Sequence, residues 1–262
     1  MFRVFIESFA EAVKKPLLLA PALIVMLANV LVLFLALDNY FGFFYDVFVF
    51  NNVPGQGLLD TPYYMITTYG VDILAMALAS IIALALGFYL LYVFAEILAG
   101  KEKKVFRAMA STLSRAGEIL ALAFFAGIAA FLYIIVAYIL LLITFSVEAL
   151  GIITLLLLIL WLIFGLYAYF KFVFTPVFMA VERKKLKEAL KASWKWSAGK
   201  IASIIVFIVI LSFVTALITN VGIAISDSLS VDWLIVLALA ITAGLSGAYY
   251  NIALIKYFQA KK

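Results

Sequence analysis

No cysteine and no histidine occur anywhere in the 262 residues. The first absence excludes a disulfide framework, and the two together exclude metal sites built on thiolate or imidazole. Ser–His, Cys–His and other histidine-activated nucleophiles go with them. Carboxylates alone can hold Mg²⁺ or Ca²⁺, but no acidic spacing of that kind is present, and no cofactor is expected. No Walker A sequence appears, which argues against ATP-driven work by this chain alone. Charge is scarce as well: 13% of residues are Asp, Glu, Lys or Arg, against 68% hydrophobic. A soluble chain of this length could not cover its core with so little polar surface.

What is present is apolar length. Six runs of about twenty residues or more fall near 17–37, 69–99, 119–146, 152–181, 201–225 and 233–258. They use most of the chain and leave no room for a separate soluble domain. The expected fold is an all-α polytopic membrane protein of one domain, with six transmembrane helices paired as three hairpins. The N-terminus lacks a short apolar region followed by a small-residue cleavage site, so the first run reads as a retained span.

The charges are few but sorted. With six spans, the N-terminus, the connections near 101–117 and 182–200, and the C-terminus share one side. All 19 Lys and Arg lie on or near that side, Lys171 alone needing to snorkel out of an apolar run. The other side carries Asp38, Asp46, Asp60, Asp72, Glu148, Asp227 and Asp232 and no base. The positive-inside rule then puts both termini in the cytoplasm of a multi-pass plasma-membrane protein. The net charge of +5, distributed in this way, points to anionic lipid headgroups as partners and not to nucleic acid.

Three basic or mixed-charge stretches have helical period and precede the hairpins. In residues 2–15, Arg3, Glu7, Glu11 and Lys14 share a face opposite Phe2, Phe5, Phe9, Ala12 and Val13. Pro16 ends or redirects this helix, and Pro21 is tolerable in the first turns of the span. In 101–117, Lys104, Arg107, Ser111 and Ser114 oppose Phe106, Met109, Leu113 and Ala116. In 175–200, Lys184, Glu188, Lys191 and Lys195 oppose Leu186, Leu190, Ser193 and Ser197, with Trp194 and Trp196 alongside. Such helices lie in the interface with their apolar face among acyl chains. A shift of 82 positions superposes Ala110-Ser111 on Ala192-Ser193 and Ala116-Gly117 on Ala198-Gly199. The chain therefore divides into three pseudo-repeats, about 1–100, 101–181 and 182–262. Lys103, Lys104, Arg107, Lys184, Lys187, Lys191 and Lys195 are the expected headgroup contacts.

Small residues recur every four positions at Ala75, Ala79, Ala83 and Gly87, at Ala123 and Gly127, and at Ala240, Gly244 and Ala248, as packing seams between membrane helices do. Residues 38–68 are dense in aromatics and read as an interfacial belt with a short helix, or as a lid over a cavity. Gly244-Leu245-Ser246-Gly247 matches the GxSG pattern of rhomboid intramembrane proteases, but no histidine base exists. Lys256 is ten residues on, ~15 Å along the helix, too far to serve.

Within the spans, Lys171, Glu96, Thr175 and Pro176 form the candidate polar site. Charge there is costly, and Pro176 frees a backbone carbonyl near Lys171. A Lys171–Glu96 ion pair across helices is one reading; snorkelling or a structural pair is the other. Pro176, Val177, Val181 and Glu182, then Ala189-Leu190, Ser193-Trp194 and Gly199, resemble the membrane domain appended to some glycerophosphodiester phosphodiesterases and its stand-alone prokaryotic relatives. The resemblance covers about 25 residues, 176–199, and implies kinship and topology. The catalytic barrel of the fused proteins is absent, so no hydrolase activity is implied. The expected function is non-enzymatic: a lipid-associated organising or accessory protein. The alternative is a channel or permease for a small solute, ion or lipid, motivated by Lys171, the Thr175-Pro176 break and the aromatic segment. The sequence names no protein partner and leaves a homo-oligomer open.

Overall fold

A computed structural model describes residues 2–14, 16–44, 60–99, 104–146, 150–229 and 232–262. Every regular element among them is helical. In order they are α1 (Phe2–Lys14), a 3₁₀ turn (Pro16–Leu18), α2 (Leu19–Phe44), α3 (Asp60–Leu98), α4 (Val105–Leu113), α5 (Ala116–Ser146), α6 (Gly151–Phe172), α7 (Thr175–Glu182), α8 (Leu186–Ser197), α9 (Ile201–Asp227) and α10 (Asp232–Lys261). Six stretches are long and apolar enough to cross a bilayer: Leu19–Ala36, Thr67–Leu98, Ala116–Leu141, Gly151–Glu182, Ile201–Asp227 and Leu237–Lys261. Their outer faces stay apolar: α6 exposes Ile152, Ile153, Leu156, Leu160 and Ile163. Lipid accepts such a surface and water does not. The chain is an all-α polytopic membrane protein.

Element boundaries differ from the sequence reading in three places. The aromatic segment is shorter than 38–68, because 38–44 continue α2 and 60–68 open α3. Asp60-Thr61-Pro62 supplies a helix start, with proline in the first turn where its missing N–H costs nothing. The turn, belt and lid assigned to the middle of that segment, 45–59, lie outside the described residues. The fourth apolar run is two helices. Pro176 cannot follow an uninterrupted helix without clashing with the carbonyl four residues back, so α6 stops at Phe172 and Pro176 sits in the first turn of α7. The second amphipathic stretch is α4 alone. Residues 101–103 lie outside the described residues, and the chain turns at Ser114-Arg115 with Arg115 N–H on the Thr112 carbonyl at 2.9 Å.

That turn separates two glycines which the 82-residue shift makes equivalent. Gly117 lies in the first turn of α5, whereas Gly199 follows α8 with φ 75°. Only the second needs the left-handed conformation that glycine adopts without strain.

The described residues form two compact units. The first comprises Met1–Ala28, Ala85–Leu122 and Phe170–Lys262, and the second Asn29–Leu84 and Ala123–Tyr169. All 19 Lys and Arg of the sequence fall in the first; the second has none.

In the first unit α9 and α10 run antiparallel. Phe207 stacks on Tyr257 at 3.9 Å, Ser203 hydrogen-bonds the Tyr257 hydroxyl at 2.8 Å, and Ser246 donates to the Thr215 carbonyl at 3.3 Å. Gly222 lets the two backbones approach, since a Cβ there would strike the Thr242 side chain. Helix α1 docks on α10 through Phe9 against Tyr249 and a Lys256–Glu11 ion pair of 2.6 Å. Beneath them Phe174, Phe178, Trp196, Tyr257 and Phe258 form one aromatic cluster, with centroids 4.7 Å apart for Phe174–Trp196 and 4.8 Å for Phe178–Phe258.

In the second unit α5 and α6 are antiparallel. Tyr133 stacks on Trp161 at 5.4 Å, Trp161 Nε1 donates to the Tyr133 carbonyl at 3.0 Å, and Thr144 donates to Thr154 at 2.9 Å. Gly127 faces Ile81. Of the small-residue positions, Ala79, Ala123, Ala240 and Ala248 are buried and Gly244 abuts Leu23, but Gly87 faces open space.

The short helices α1, α4 and α8 each bury a narrow stripe rich in small residues, joined by Phe5 in α1 and flanked by the half-buried Trp196 in α8, and leave other large apolar residues outward. The stripes are Val4, Ser8 and Ala12 in α1, Ala108 and Thr112 in α4, and Ala189, Ser193 and Ser197 in α8. Phe2, Phe106, Leu113 and Trp194 stay exposed. Hydroxyls are tolerated in the stripe because they bond carbonyls, Ser8 that of Val4 at 2.6 Å and Thr112 that of Ala108 at 2.8 Å. Ala108 and Thr112 correspond to Ala189 and Ser193 at an offset of 81, one residue less than the sequence alignment gives.

Candidate functional site

Among the described residues the most deeply buried carboxylate is Glu96, in the last turns of α3 and only 4% exposed. An ionised carboxylate at that burial needs cations and hydrogen-bond donors around it. It has two arginines. Arg115 Nη1 lies 3.8 Å from Glu96 Oε1, and Arg183 Nη2 lies 3.3 Å from the same oxygen.

Arg115 is placed by the turn between α4 and α5. Its guanidinium lies 4.5 Å over the Tyr92 ring, one helical turn before Glu96. It donates to Glu118 through Nε and Nη2 at 3.1 and 2.7 Å. It also donates to the Met179 and Ala180 carbonyls at 2.7 and 3.4 Å. Those are the last-turn carbonyls of α7, where a helix accumulates negative partial charge. Arg183 is the residue after α7 and has φ 55°, a conformation that costs a non-glycine residue about 1 kcal/mol or more. Its ion pair with Glu96 holds it there. Glu96, Arg115 and Arg183, together with Ser111, Ser114 and Glu118, line a polar cleft of about 290 Å³.

The four residues predicted as the intramembrane polar site have the following surroundings. Lys171 is 5% exposed at the end of α6, and its ammonium lies 4.9 Å over the Trp194 ring. Its backbone carbonyl accepts from Ser193 Oγ at 2.7 Å, so α8 satisfies a group at the break that Pro176 creates. Thr175 is buried beside it, with Oγ1 lacking a hydrogen-bond partner among the described residues. Glu96, which the sequence offered as a partner for Lys171, has Arg115 and Arg183 on it.

Of the predicted headgroup contacts, Lys104, Arg107, Lys187, Lys191 and Lys195 are exposed. Lys103 lies outside the described residues. Lys184 is partly exposed: it pairs with Glu182 at 2.7 Å and lies over Phe178 at 4.9 Å. Ser246 of the GxSG sequence donates to a backbone carbonyl, and Lys256 is bound to Glu11.

No known family, curated protein or solved structure matches the chain. The site therefore has to be read from its own geometry.

Sequence reasoning missed Arg115, Arg183 and Glu118. A signal existed. The chain has only four arginines, and two of them stand at helix junctions, where a planar fork can reach carbonyls and a carboxylate at once.

Proposed function

We propose that the protein is a non-enzymatic, lipid-associated component of the plasma membrane that organises or assists other membrane components. Both termini are cytoplasmic, the spans form three hairpins, and α1, α4 and α8 lie in the cytoplasmic interface. The observation that carries this reading is the way α8 is seated. Its buried stripe of Ala189, Ser193 and Ser197 fixes its rotation, and that rotation turns Lys187, Lys191, Lys195 and Trp194 outward. Basic side chains with an exposed indole suit an anionic headgroup layer, where each Lys or Arg contributes about 1 kcal/mol. Lys104 and Arg107 on α4, also exposed, extend the same surface. Kinship with the phosphodiesterase-linked membrane domain forms part of this proposal, through residues 176–199.

The packing near Thr175 supports this reading over transport. Phe174, Val177 and Met179, which flank Thr175 in the chain, are buried in the hydrophobic core, so the packing there is apolar among the described residues. The test reconstitutes the full chain in neutral and in anionic bilayers. Greater thermal stability and retained phosphatidylglycerol are expected in the anionic one. Replacing Lys187, Lys191 and Lys195 by Gln, or raising salt to about 0.5 M, should shrink the difference. Equal stability in both bilayers with no retained anionic lipid overturns the reading.

A further inference from the structure

The polar cleft has a charge balance and a donor–acceptor layout that the anionic-surface reading does not use. Among the described residues that line it, two cations, Arg115 and Arg183, accompany two anions, Glu96 and Glu118, so that lining carries no net charge. Arg115 is immobilised by Glu118 and by two backbone carbonyls. Arg183 is different. Its side chain is 63% exposed, and it reaches Glu96 through Nη2 alone, at 3.3 and 3.5 Å. Its Nε and Nη1 form no hydrogen bond among the described residues, and once Nη2 leaves Glu96 the Nε/Nη2 edge is a fork of the kind that binds phosphate oxygens in pairs.

The opposite wall offers acceptors. Ser111 Oγ donates to the Ala108 carbonyl at 3.0 Å, and Ser114 Oγ to the Ser111 carbonyl at 2.7 Å. Both protons are turned onto their own helix, which leaves the oxygen lone pairs available. Glu118 receives both Arg115 bonds on Oε2, and its Oε1 has no partner among the described residues. Three acceptors match the three N–H donors of a primary ammonium group.

We infer that this cleft binds a zwitterionic lipid headgroup, a phosphodiester carrying a primary ammonium. The phosphate sits on Arg183, and the ammonium on Glu118, Ser111 and Ser114. Glu96 keeps Arg115 when Arg183 turns to the ligand, so no buried carboxylate is stranded. A ligand of both signs preserves neutrality. A purely anionic headgroup would leave a surplus negative charge against Glu118, and a quaternary ammonium has no N–H to give.

Size and depth agree. The volume of about 290 Å³ equals the share of about ten waters, enough for a headgroup of about eight non-hydrogen atoms. The lining residues flank Leu98, where one span ends, and Ala116, where the next begins. That is headgroup depth, on the side that carries the bases. The inference rests on the membrane-spanning fold and is independent of whether the α8 lysines attract anionic lipid.

The experiment places the full chain in mixed bilayers holding equal fractions of phosphatidylethanolamine, phosphatidylcholine and phosphatidylglycerol, and counts retained lipid by native mass spectrometry. The wild type should retain phosphatidylethanolamine about tenfold over phosphatidylcholine, a ratio that corresponds to ~1.4 kcal/mol. Arg183→Gln and Glu118→Gln should each abolish most of that preference at a temperature where thermal melts in phosphatidylcholine show the variant still folded. The triple Lys→Gln variant of α8 should lower retained phosphatidylglycerol and leave the preference for phosphatidylethanolamine intact. Ethanolamine and choline lipids held equally, or a preference that survives Arg183→Gln, overturns the assignment. Stabilisation by free phosphoethanolamine without retention of the lipid overturns the lipid source. Loss of phosphatidylglycerol binding alone would count against the surface reading, not against this site.

Discussion

Arg115→Gln tests the core of the cytoplasmic polar cluster. The substitution removes the guanidinium from Glu96, from the last carbonyls of α7 and from the Tyr92 ring, and the cost can be worked from those contacts. Breaking a buried ion pair by deleting one partner costs about 3–5 kcal/mol. Arg183 still reaches Glu96 at 3.3 Å, so the lower end applies, about 3 kcal/mol. Glu118 is half exposed and resolvates, adding little. Loss of the donor to the Met179 and Ala180 carbonyls adds about 1 kcal/mol. A total of about 3–4 kcal/mol corresponds to a fall in Tm of about 6–16 °C for a chain of this size. Tryptophan fluorescence of the full chain in nanodiscs reads the transition, since Trp196 packs in the aromatic cluster beside α7. The second measurement is Arg115→Gln/Glu96→Gln, which removes the stranded charge and should recover about 2 kcal/mol, a coupling in the range of neighbouring groups. A single variant that melts within about 1 °C of wild type, or a double variant less stable than the single, would refute the reasoning.

Gly222→Ala drives a methyl group into Thr242 and should cost about 1–3 kcal/mol of stability, with Gly222→Ala/Thr242→Ala recovering most of it in a thermal melt. Ser193→Ala removes the donor to the Lys171 carbonyl at a fully buried position and should cost about 1–3 kcal/mol. Amide exchange should then rise first at the end of α6 and in α8, which are joined across that bond. Glu7 should titrate below the ordinary carboxylate range because Arg3 Nε hydrogen-bonds its Oε1 at 2.6 Å. A lowered folded-state pKa means that the pair's contribution is present above the unfolded value and is lost as pH falls through the folded one. A carboxyl-carbon NMR titration should show Arg3→Gln moving Glu7 back up toward about 4.3.

Much of the architecture was legible because membrane solvation is a one-dimensional constraint. A run of about twenty apolar residues has few options other than to span, so the six spans could be read within several residues of where the helices lie. The same holds for Pro16, whose local effect acts through its immediate neighbours. Boundaries failed where chain-distant groups intervened. The α6–α7 break is stabilised by Ser193, twenty-two residues away, and nothing local to Pro176 says whether such a donor will be supplied. The equivalence of the amphipathic stretches was visible, but its register was off by one. The alignment weighed Gly117 against Gly199, whereas the helices are matched by the stripes they bury.

By itself the sequence determined the helical class, the number of spans, the sorting of all bases to the termini and alternate connections, and the exclusion of histidine and cysteine chemistry. Each follows from composition and order along the chain, which folding cannot change. Only the tertiary structure decided which charges meet. Glu96 pairs with arginines 19 and 87 positions further along the chain, and Lys184 pairs with Glu182 while Lys187, Lys191 and Lys195 are exposed. A buried carboxylate is held by whichever cation the helix ends bring within about 4 Å, where the interaction is strongest. That distance is set by the packing of α3, α7 and the α4–α5 turn, a relation among segments that no single stretch of sequence contains.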